Sequence, residues 1–541
     1  MSRNQRRQTV VQQKAPAAEP EKPAVDLMFK EAVAHHMAGR EDEAERLYLG
    51  ILAVPPVQAE TSYNLGLLYQ HKGRLPEAIA AYQNCLYMRH DHVDAMCNMA
   101  TALQNLGHLD QSIALYHKAI AIRPEFAMAY CNLGVALKEH ADPEAARIAY
   151  ERAIRIRPDY DWAYANVSAV LLDLGLLEES IDACMKAIAI NKAMPMAYFN
   201  LGAAYKSDNR LDEAAAAFRE GIRINPDFTE AHFTLGQVLL HAGKYEEGWK
   251  EYDWRWKLPQ YAWLKNIHGD FIQPKWQGED IRGKNLLIYA EQGLGDALQY
   301  VRYVPMVAER FGANVTLAVH PPLMKLFQQL KGIKVIGLDQ IPLPPFDLHC
   351  PLLTLPRLFG TDADTIPAEV PYLRADPGDA ARWAIRMEGP GKKVGIVWAG
   401  NPDQTGDRLR SPRLAAVQPL FQIPGIQFFA LQLGAGRKDL EKYPLPPQVT
   451  DLGLEIKDLA DTAAIMANLD LMITSCTAPL HLAAAMGIPT WAMIPYAPHF
   501  LWQIGRTDND WYPTLRLYRQ QRPGVDWSDV MGDLGKDLRA L

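Results

Sequence analysis

Cys131-Asn132-Leu133-Gly134-Val135-Ala136 places an asparagine two positions before a small residue, and that pair returns every 34 residues. The recurrences are Asn64/Gly66, Asn98/Ala100, Asn132/Gly134, Asn166/Ser168 and Asn200/Gly202. Working outward, the small position extends to Ala32 and Gly236. Twelve residues further on stands a second small residue: Ala44, Ala78, Ser112, Ala146, Ser180, Ala214 or Gly248. Four beyond that comes a ring or similar filler: Tyr48, Tyr82, Tyr116, Tyr150, Cys184, Phe218 or Tyr252. Proline closes several units, at Pro56, Pro124, Pro158 and Pro226. The register never slips, which gives seven repeats over residues 26–260. Two antiparallel helices that cross closely need Gly, Ala or Ser at the contact. The ring fills the space beside it, and proline stops the second helix because it lacks a donor and clashes with the preceding turn. One such pair cannot bury its apolar face alone, so neighbours are expected to stack into a superhelix with a concave groove.

A 34-residue period with these offsets reads as tetratricopeptide repeats, hence an N-terminal all-α solenoid. The asparagines need a separate reason, because Asn is a mediocre residue inside a helix. A side-chain amide is both donor and acceptor. Either the amides line the groove and pair with the backbone of an extended peptide, or each bonds a neighbouring turn of the scaffold. The repeat half resembles that of O-linked N-acetylglucosamine transferase, where an asparagine ladder at this position holds protein substrates. The resemblance implies peptide binding at Asn64, Asn98, Asn132, Asn166 and Asn200, and it fails where Lys30 and Thr234 take the position. The last repeat ends in Gly248-Trp249-Lys250-Glu251-Tyr252-Asp253-Trp254-Arg255-Trp256. Those tryptophans are expected to seal the solenoid against the next domain, with an aromatic carbohydrate platform as the lesser alternative.

A chain of 541 residues exceeds one domain. Apolar residues at 49% and charged residues at 22% fit a soluble composition. A formal net charge of −7 offers no general basic field for nucleic acid. Residues 1–25 read as a disordered tail, and no apolar core follows Arg3, Arg6 and Arg7 to make a secretory signal. Those arginines as an anionic-surface tether is a minor alternative. The six cysteines form no C-x-x-C pair and no zinc spacing, which suggests a reducing, cytoplasmic setting.

After a linker at 261–283 the period changes. Leu286–Tyr289, Val315–Val319, Lys334–Ile336 and Phe346–Leu348 read as strands of one unit, residues 284–380. Lys393–Trp398, Phe428–Gln432, Leu471–Thr474 and Thr490–Ile494 read as strands of a second, residues 381–541. Helical stretches at 297–310 and 478–486 alternate with them, implying parallel α/β sheets with ligands at the carboxyl ends of the strands. Gly293-Leu294-Gly295-Asp296 allows a tight turn and close backbone approach to a ligand, with Asp296 at a helix start. Asp there is also a common cap. Thr474-Ser475-Cys476-Thr477 ends a strand and opens a helix, a place that favours phosphate. His481, one turn on, either bonds the donor or packs inward. In the loop after a strand, Trp398, Gly400, Asn401 and Arg410 form a third cluster, where the Arg410 fork suits phosphate.

Several motifs in order make the half from Lys284 to Gln520 resemble the heptosyltransferase-like (family 9) glycosyltransferases, in the branch fused to tetratricopeptide repeats. They are Glu291–Asp296, Trp398–Pro402, Arg408–Ser411, Asp461–Ala464, Thr477 with His481, and Trp511-Tyr512-Pro513. The resemblance implies a GT-B fold of two Rossmann-like subdomains, the second binding the donor. It makes Asp296 the general base and assigns Gln292, Gly293, Gly295, Trp398, Asn401, Arg410, Cys476, Thr477 and His481 to a nucleotide-sugar. Cys476 stands where that family has an aspartate on the donor sugar, which leaves room for a sugar other than heptose. No metal and no further cofactor is expected, since helix dipoles and cations stabilise the leaving phosphate. Asp508-Asn509-Asp510 spells a metal motif but reads as a surface turn. The expected function is transfer of a sugar to a protein held by the repeats; flagellin-modifying glycosyltransferases with such repeats are similar in layout. The alternatives are a lipid-linked or polysaccharide acceptor, and a non-catalytic scaffold.

Overall fold

Fourteen α-helices, α1 (Lys22–Met37) to α14 (Tyr245–Tyr252), precede ten strands among the described residues of the computed structural model. Those residues are 22–55, 58–261, 267, 269, 271–402 and 406–541. Pro56, Arg3, Arg6, Arg7 and part of the expected linker lie outside them. Helix α1 starts at Lys22, so helix takes over the last residues of the tail expected to run to 25. Proline in a first turn sacrifices no intrahelical donor, and Pro23 is therefore no obstacle to that earlier start. The chain forms two compact units, one ending at Asn191 and one running from Lys192 to Leu541.

In the first unit, helices α1 to α10 pair as five hairpins. The small-residue and ring positions meet as the period demands. A Cβ on Gly66 would lie 2.5 Å from the Tyr82 ring, and one on Gly134 would lie 2.6 Å from Tyr150. Tyr48, Tyr82, Tyr116 and Tyr150 are fully buried. Their hydroxyls are not wasted: Tyr82 donates to Gln70 Oε1 at 2.8 Å, and Tyr116 shares a 2.8 Å bond with Thr101. Gly39, Gly73, Gly107 and Gly175 end helices with φ between 70° and 81°, the left-handed conformation glycine adopts without strain.

The second unit holds the last two hairpins, α11 (Pro195–Ser207) to α14, and two parallel sheets. Strands β1 (Asn285–Tyr289), β2 (Asn314–Val319), β3 (Lys334–Gly337) and β4 (Leu348–Pro351) lie in the order β3-β2-β1-β4. Strands β5 (Lys392–Val397), β6 (Ile426–Ala430), β7 (Val449–Asp451), β8 (Leu471–Ser475), β9 (Thr490–Ile494) and β10 (Leu515–Arg519) lie in the order β10-β9-β8-β5-β6-β7. Strands such as β8 and β9 are buried at every residue, the continuous burial typical of parallel sheets covered on both faces.

Each sheet winds one way and then reverses. The reversal falls between β1 and β4 in the first sheet and between β5 and β8 in the second. Crevices at such switch points, beyond the strand carboxyl ends, are where open α/β sheets take ligands. Gln292–Asp296 follows β1, Trp398–Asn401 follows β5, and Cys476–Thr477 follows β8. Helix α15 (Leu294–Tyr300) packs against α16 (Ala478–Ala485). One core runs from Trp249 and Tyr252 through β1 and β2 to Leu480, Ala484 and Phe500; a second lies under β5 and β6. No helix of the described residues is long and apolar enough to cross a membrane.

Candidate functional site

The chain leaves β1 through a buried ion pair. Glu291 accepts from Arg255 at 2.9 Å and from the Leu353 N–H at 3.2 Å. Arg255, fully buried, also donates to Asp253 at 2.6 Å and to Thr354 at 3.0 Å. Arg357 closes on Asp253 at 2.7 Å. The turn after the last repeat is thereby locked to the end of β1. Trp249 does act as the seal read from the sequence: its indole donates to Thr361 O at 2.9 Å within the core. Trp254 stacks instead on His232, with ring centroids 3.7 Å apart. Gln292 bonds Tyr252 through its amide at 3.0 Å, and its carbonyl accepts from His320 at 2.7 Å.

Asp296 is the third residue of α15, and its Oδ2 accepts from the Gly293 N–H at 3.1 Å. The capping role seen in the sequence is therefore real. The carboxyl is nonetheless perturbed, because its burial and then the Glu291 charge push its pKa up to about 6. A carboxylate that titrates near neutrality is suited to take a proton.

Gly295 explains how the two switch points meet. A Cβ there would lie 2.9 Å from His481 Cδ2 and 3.6 Å from Ala478 Cα. The glycine read as leaving room for a ligand leaves it for the His481 ring, and that brings the start of α15 against the start of α16. His481 packs inward, bonding Tyr512 through Nδ1 at 3.0 Å and lying beside Trp502. Burial, with the Arg302 charge, pulls its pKa down to about 3, so the ring is neutral.

Thr477 opens α16 in extended conformation and donates to Ser475 O at 3.3 Å. Gly400 lies against it. A Cβ on Gly400 would be 3.1 Å from Thr477 Cγ2, 2.8 Å from Arg410 Nη2 and 2.7 Å from Asp407 Oδ1. Asp407 is the anchor that the sequence reading missed. Buried, it accepts from Arg410 Nε at 3.2 Å and from Ser411 Oγ at 2.8 Å, and Ser411 Oγ takes the Gly400 N–H at 2.9 Å. Its spacing three and four residues before Arg410 and Ser411 on a helical turn was the available signal. Asn401 is exposed at the tip of the loop, and residues 403–405 lie outside the described residues. Arg408 is exposed.

One assignment changes. Trp398, read as a donor contact, is fully buried and its indole donates to Gly436 O at 3.1 Å. A strand buried on both faces sends that ring into the core. Cys476, half-buried, lies with its Sγ 3.6 Å from Met493 O, and burial pushes its thiol up to about 12. Asp508 and Asp510 are both held by Arg506, at 2.8 and 2.6 Å, while Asn509 turns inward to Leu501 O. That segment is the turn anticipated.

In the first unit, Asn64, Asn98, Asn132 and Asn166 are all half-buried at one helix position. Asn64 donates to Glu60 O at 2.9 Å, Asn98 to Tyr63 OH at 3.2 Å and Asn166 to Cys131 Sγ at 3.7 Å. Part of each of these three amides is thus used within the scaffold, the second of the two readings. In the second unit, Asn200 is buried.

Residues 57–125, residues 195–228, and residues 29–84 with 97–161 each match models described as tetratricopeptide repeat. A relative, Protein FlbA of Caulobacter vibrioides (strain ATCC 19089 / CIP 103742 / CB 15), is 29% identical over 326 residues, covering 56% of this chain and 54% of that protein. The chain therefore spans about half the length of the curated relative it matches. Among solved structures, MamA is 26% identical with a TM-score of 0.28, covering 31% of this chain and 97% of that one. TTC0263, a thermophilic repeat protein of Thermus thermophilus, is 21% identical with a TM-score of 0.30, covering 34% and 99%. The N-terminal region of this chain is built of tetratricopeptide repeats.

Proposed function

We propose that this protein is a GT-B glycosyltransferase that moves a sugar from a nucleotide-sugar donor to a protein acceptor held by its repeats. The observation that carries the reading is Asp296, a carboxyl whose pKa is raised to about 6, on a helix start packed against the Thr477 helix start. In this reading the acceptor hydroxyl loses its proton to Asp296 as its oxygen bonds the anomeric carbon. The bond from that carbon to the donor phosphate breaks, and the electrons leave on the phosphate. Arg410, aimed by Asp407, and the positive end of the α16 dipole stabilise the developing charge. Tetratricopeptide repeats are scaffolds that bind peptides or proteins, which supports a protein acceptor. Trp398, fully buried, has no place in this chemistry.

A thermal-shift screen with nucleotide-sugars tests the reading, since a ligand that binds only the folded state stabilises it by mass action. At 100 times Kd the gain is about 2.7 kcal/mol. Stabilisation by at least one donor, lost in Arg410→Ala, is expected. No stabilisation by any nucleotide or nucleotide-sugar would overturn it.

A further inference from the structure

The repeats of the first unit carry an ion pair at two fixed positions, and the fourth repeat breaks it. Arg89, Arg123 and Arg157 stand 34 residues apart, each just past the second helix of its repeat. Glu60 and Asp94 stand second in the first helix of theirs. Arg89 pairs with Glu60 at 2.6 Å, and Arg123 with Asp94 at 3.5 Å. In the fourth repeat Met128 takes the place of the acid, and no carboxylate pairs with Arg157 among the described residues. The guanidinium is held as its counterpart is: Arg157 lies over the Tyr160 ring, 3.3 Å from its centroid, and Arg123 over Phe126 at 4.8 Å. The next repeat has Asn191 at the arginine position, and Asn191 donates to Asp161 at 2.8 Å, so that carboxylate is engaged elsewhere.

Beside this cation the fold leaves two large apolar side chains open. Met128, on α7 (Ala127–Glu139), is 40% exposed, and Trp162, at the same position of α9 (Asp161–Asp173), is 54% exposed. Each stands one turn before an asparagine on the same helix face, Asn132 or Asn166. Helices α7 and α9 are in direct contact, and Asn166 bonds Cys131 between them. An indole and a thioether are stabilised by an apolar cover, and a guanidinium that is stacked but unpaired is stabilised by a carboxylate. A peptide segment that is both acidic and apolar brings the two together.

We infer that Met128, Arg157 and Trp162 select the acceptor sequence: they take an extended segment with an Asp or Glu over Arg157 and a large apolar side chain over Trp162. Helices in contact lie about 8–10 Å apart and an extended chain advances about 3.3 Å per residue, so the two side chains are about three positions apart. The second and third repeats, whose ion pairs are closed, present no such cation. The inference rests on the reading that the repeats hold a protein acceptor, and adds which sequence they choose.

Selection of phage-displayed random peptides on the full chain, followed by fluorescence anisotropy of an enriched peptide, tests it. Enriched sequences are expected to carry Asp or Glu about three positions from Phe, Trp, Leu or Met. The peptide should bind Arg157→Ala, Trp162→Ala and Met128→Glu at least tenfold more weakly than wild type, the last because it restores the acid that closes the pair. Arg157→Glu should prefer the same peptide with Lys in place of its acid. Arg123→Ala, at a position already paired with Asp94, is the control and should change affinity less than twofold. All four positions are exposed, so the variants are expected to melt as wild type does. Enriched sequences without the acidic and apolar pair, or equal losses in Arg157→Ala and Arg123→Ala, overturn the inference and leave the transfer reading standing. Failure to enrich any peptide overturns it together with the protein-acceptor half of that reading, while the donor half is judged separately by the thermal shift with nucleotide-sugars.

Discussion

Gly295 and His481 are in contact so close that a single methyl group at 295 would reach 2.9 Å from the ring carbon Cδ2. Gly295→Ala must therefore push α15 away from α16 or displace a ring tied to Tyr512. Overpacking of this kind costs about 1–3 kcal/mol. Gly293 is different. Its φ is −68° and a Cβ would meet only Asp296 Oδ2, at 3.3 Å. Urea denaturation should show Gly295→Ala destabilised and Gly293→Ala within about 0.5 kcal/mol of wild type. Equal effects would contradict the packing role given to Gly295.

Asp296 makes a prediction with a sign. Its folded pKa, about 6, exceeds the unfolded value of about 3.9. Its contribution to stability is fully present below about pH 3.9 and is lost as pH rises through about 6. Above that, the protein holds a charge it disfavours. Asp296→Asn keeps an acceptor for Gly293 and should be more stable than wild type at pH 8, by about 1–2 kcal/mol, with the difference gone below pH 4. Calorimetric Tm across pH checks this. A variant less stable at pH 8 would mean that the cap outweighs the charge.

The Glu291–Arg255 pair should behave as a buried unit. Removing one partner, as in Glu291→Ala, strands a charge in the core and is expected to cost about 3–5 kcal/mol. Replacing both, as Glu291→Leu with Arg255→Met, should cost less than either single change. A double-mutant cycle by denaturant melts decides it, and additive losses would show that the two side chains act independently.

For the asparagines, Asn98→Ala, Asn132→Ala and Asn166→Ala together should leave helix content unchanged. The bonds lost to Tyr63 and Cys131 cost about 1 kcal/mol each. If the amides serve a bound peptide, fluorescence anisotropy with acceptor peptides should show at least tenfold weaker binding. Unchanged affinity would make them scaffold residues only.

What was legible in the sequence was whatever repeats or sits close along the chain. The pairing of Gly66 with Tyr82 could be read because the same two positions recur in every unit. The strand ends that carry Asp296 and Thr477 were marked by turn chemistry and by the change of period. The burial of Trp398 is not legible because parallel strands buried on both faces show no alternation, and nothing local says which way its ring points. Strand β7, three residues long, has too little pattern to register, and in β10 Leu515, Leu517 and their neighbours alternate only partly. The turn sequence marks Gly295 for close approach to a ligand, whereas the group that approaches is the His481 ring, 186 residues away.

The central claim is tested most directly by measuring transfer of labelled sugar from a panel of nucleotide-sugars to a protein acceptor, with wild type and Asp296→Asn side by side across pH. The account predicts transfer by wild type that falls below about pH 6 as one proton binds, and a loss of at least about 100-fold in the folded variant at pH 8. Transfer by Asp296→Asn at the wild-type rate would contradict it.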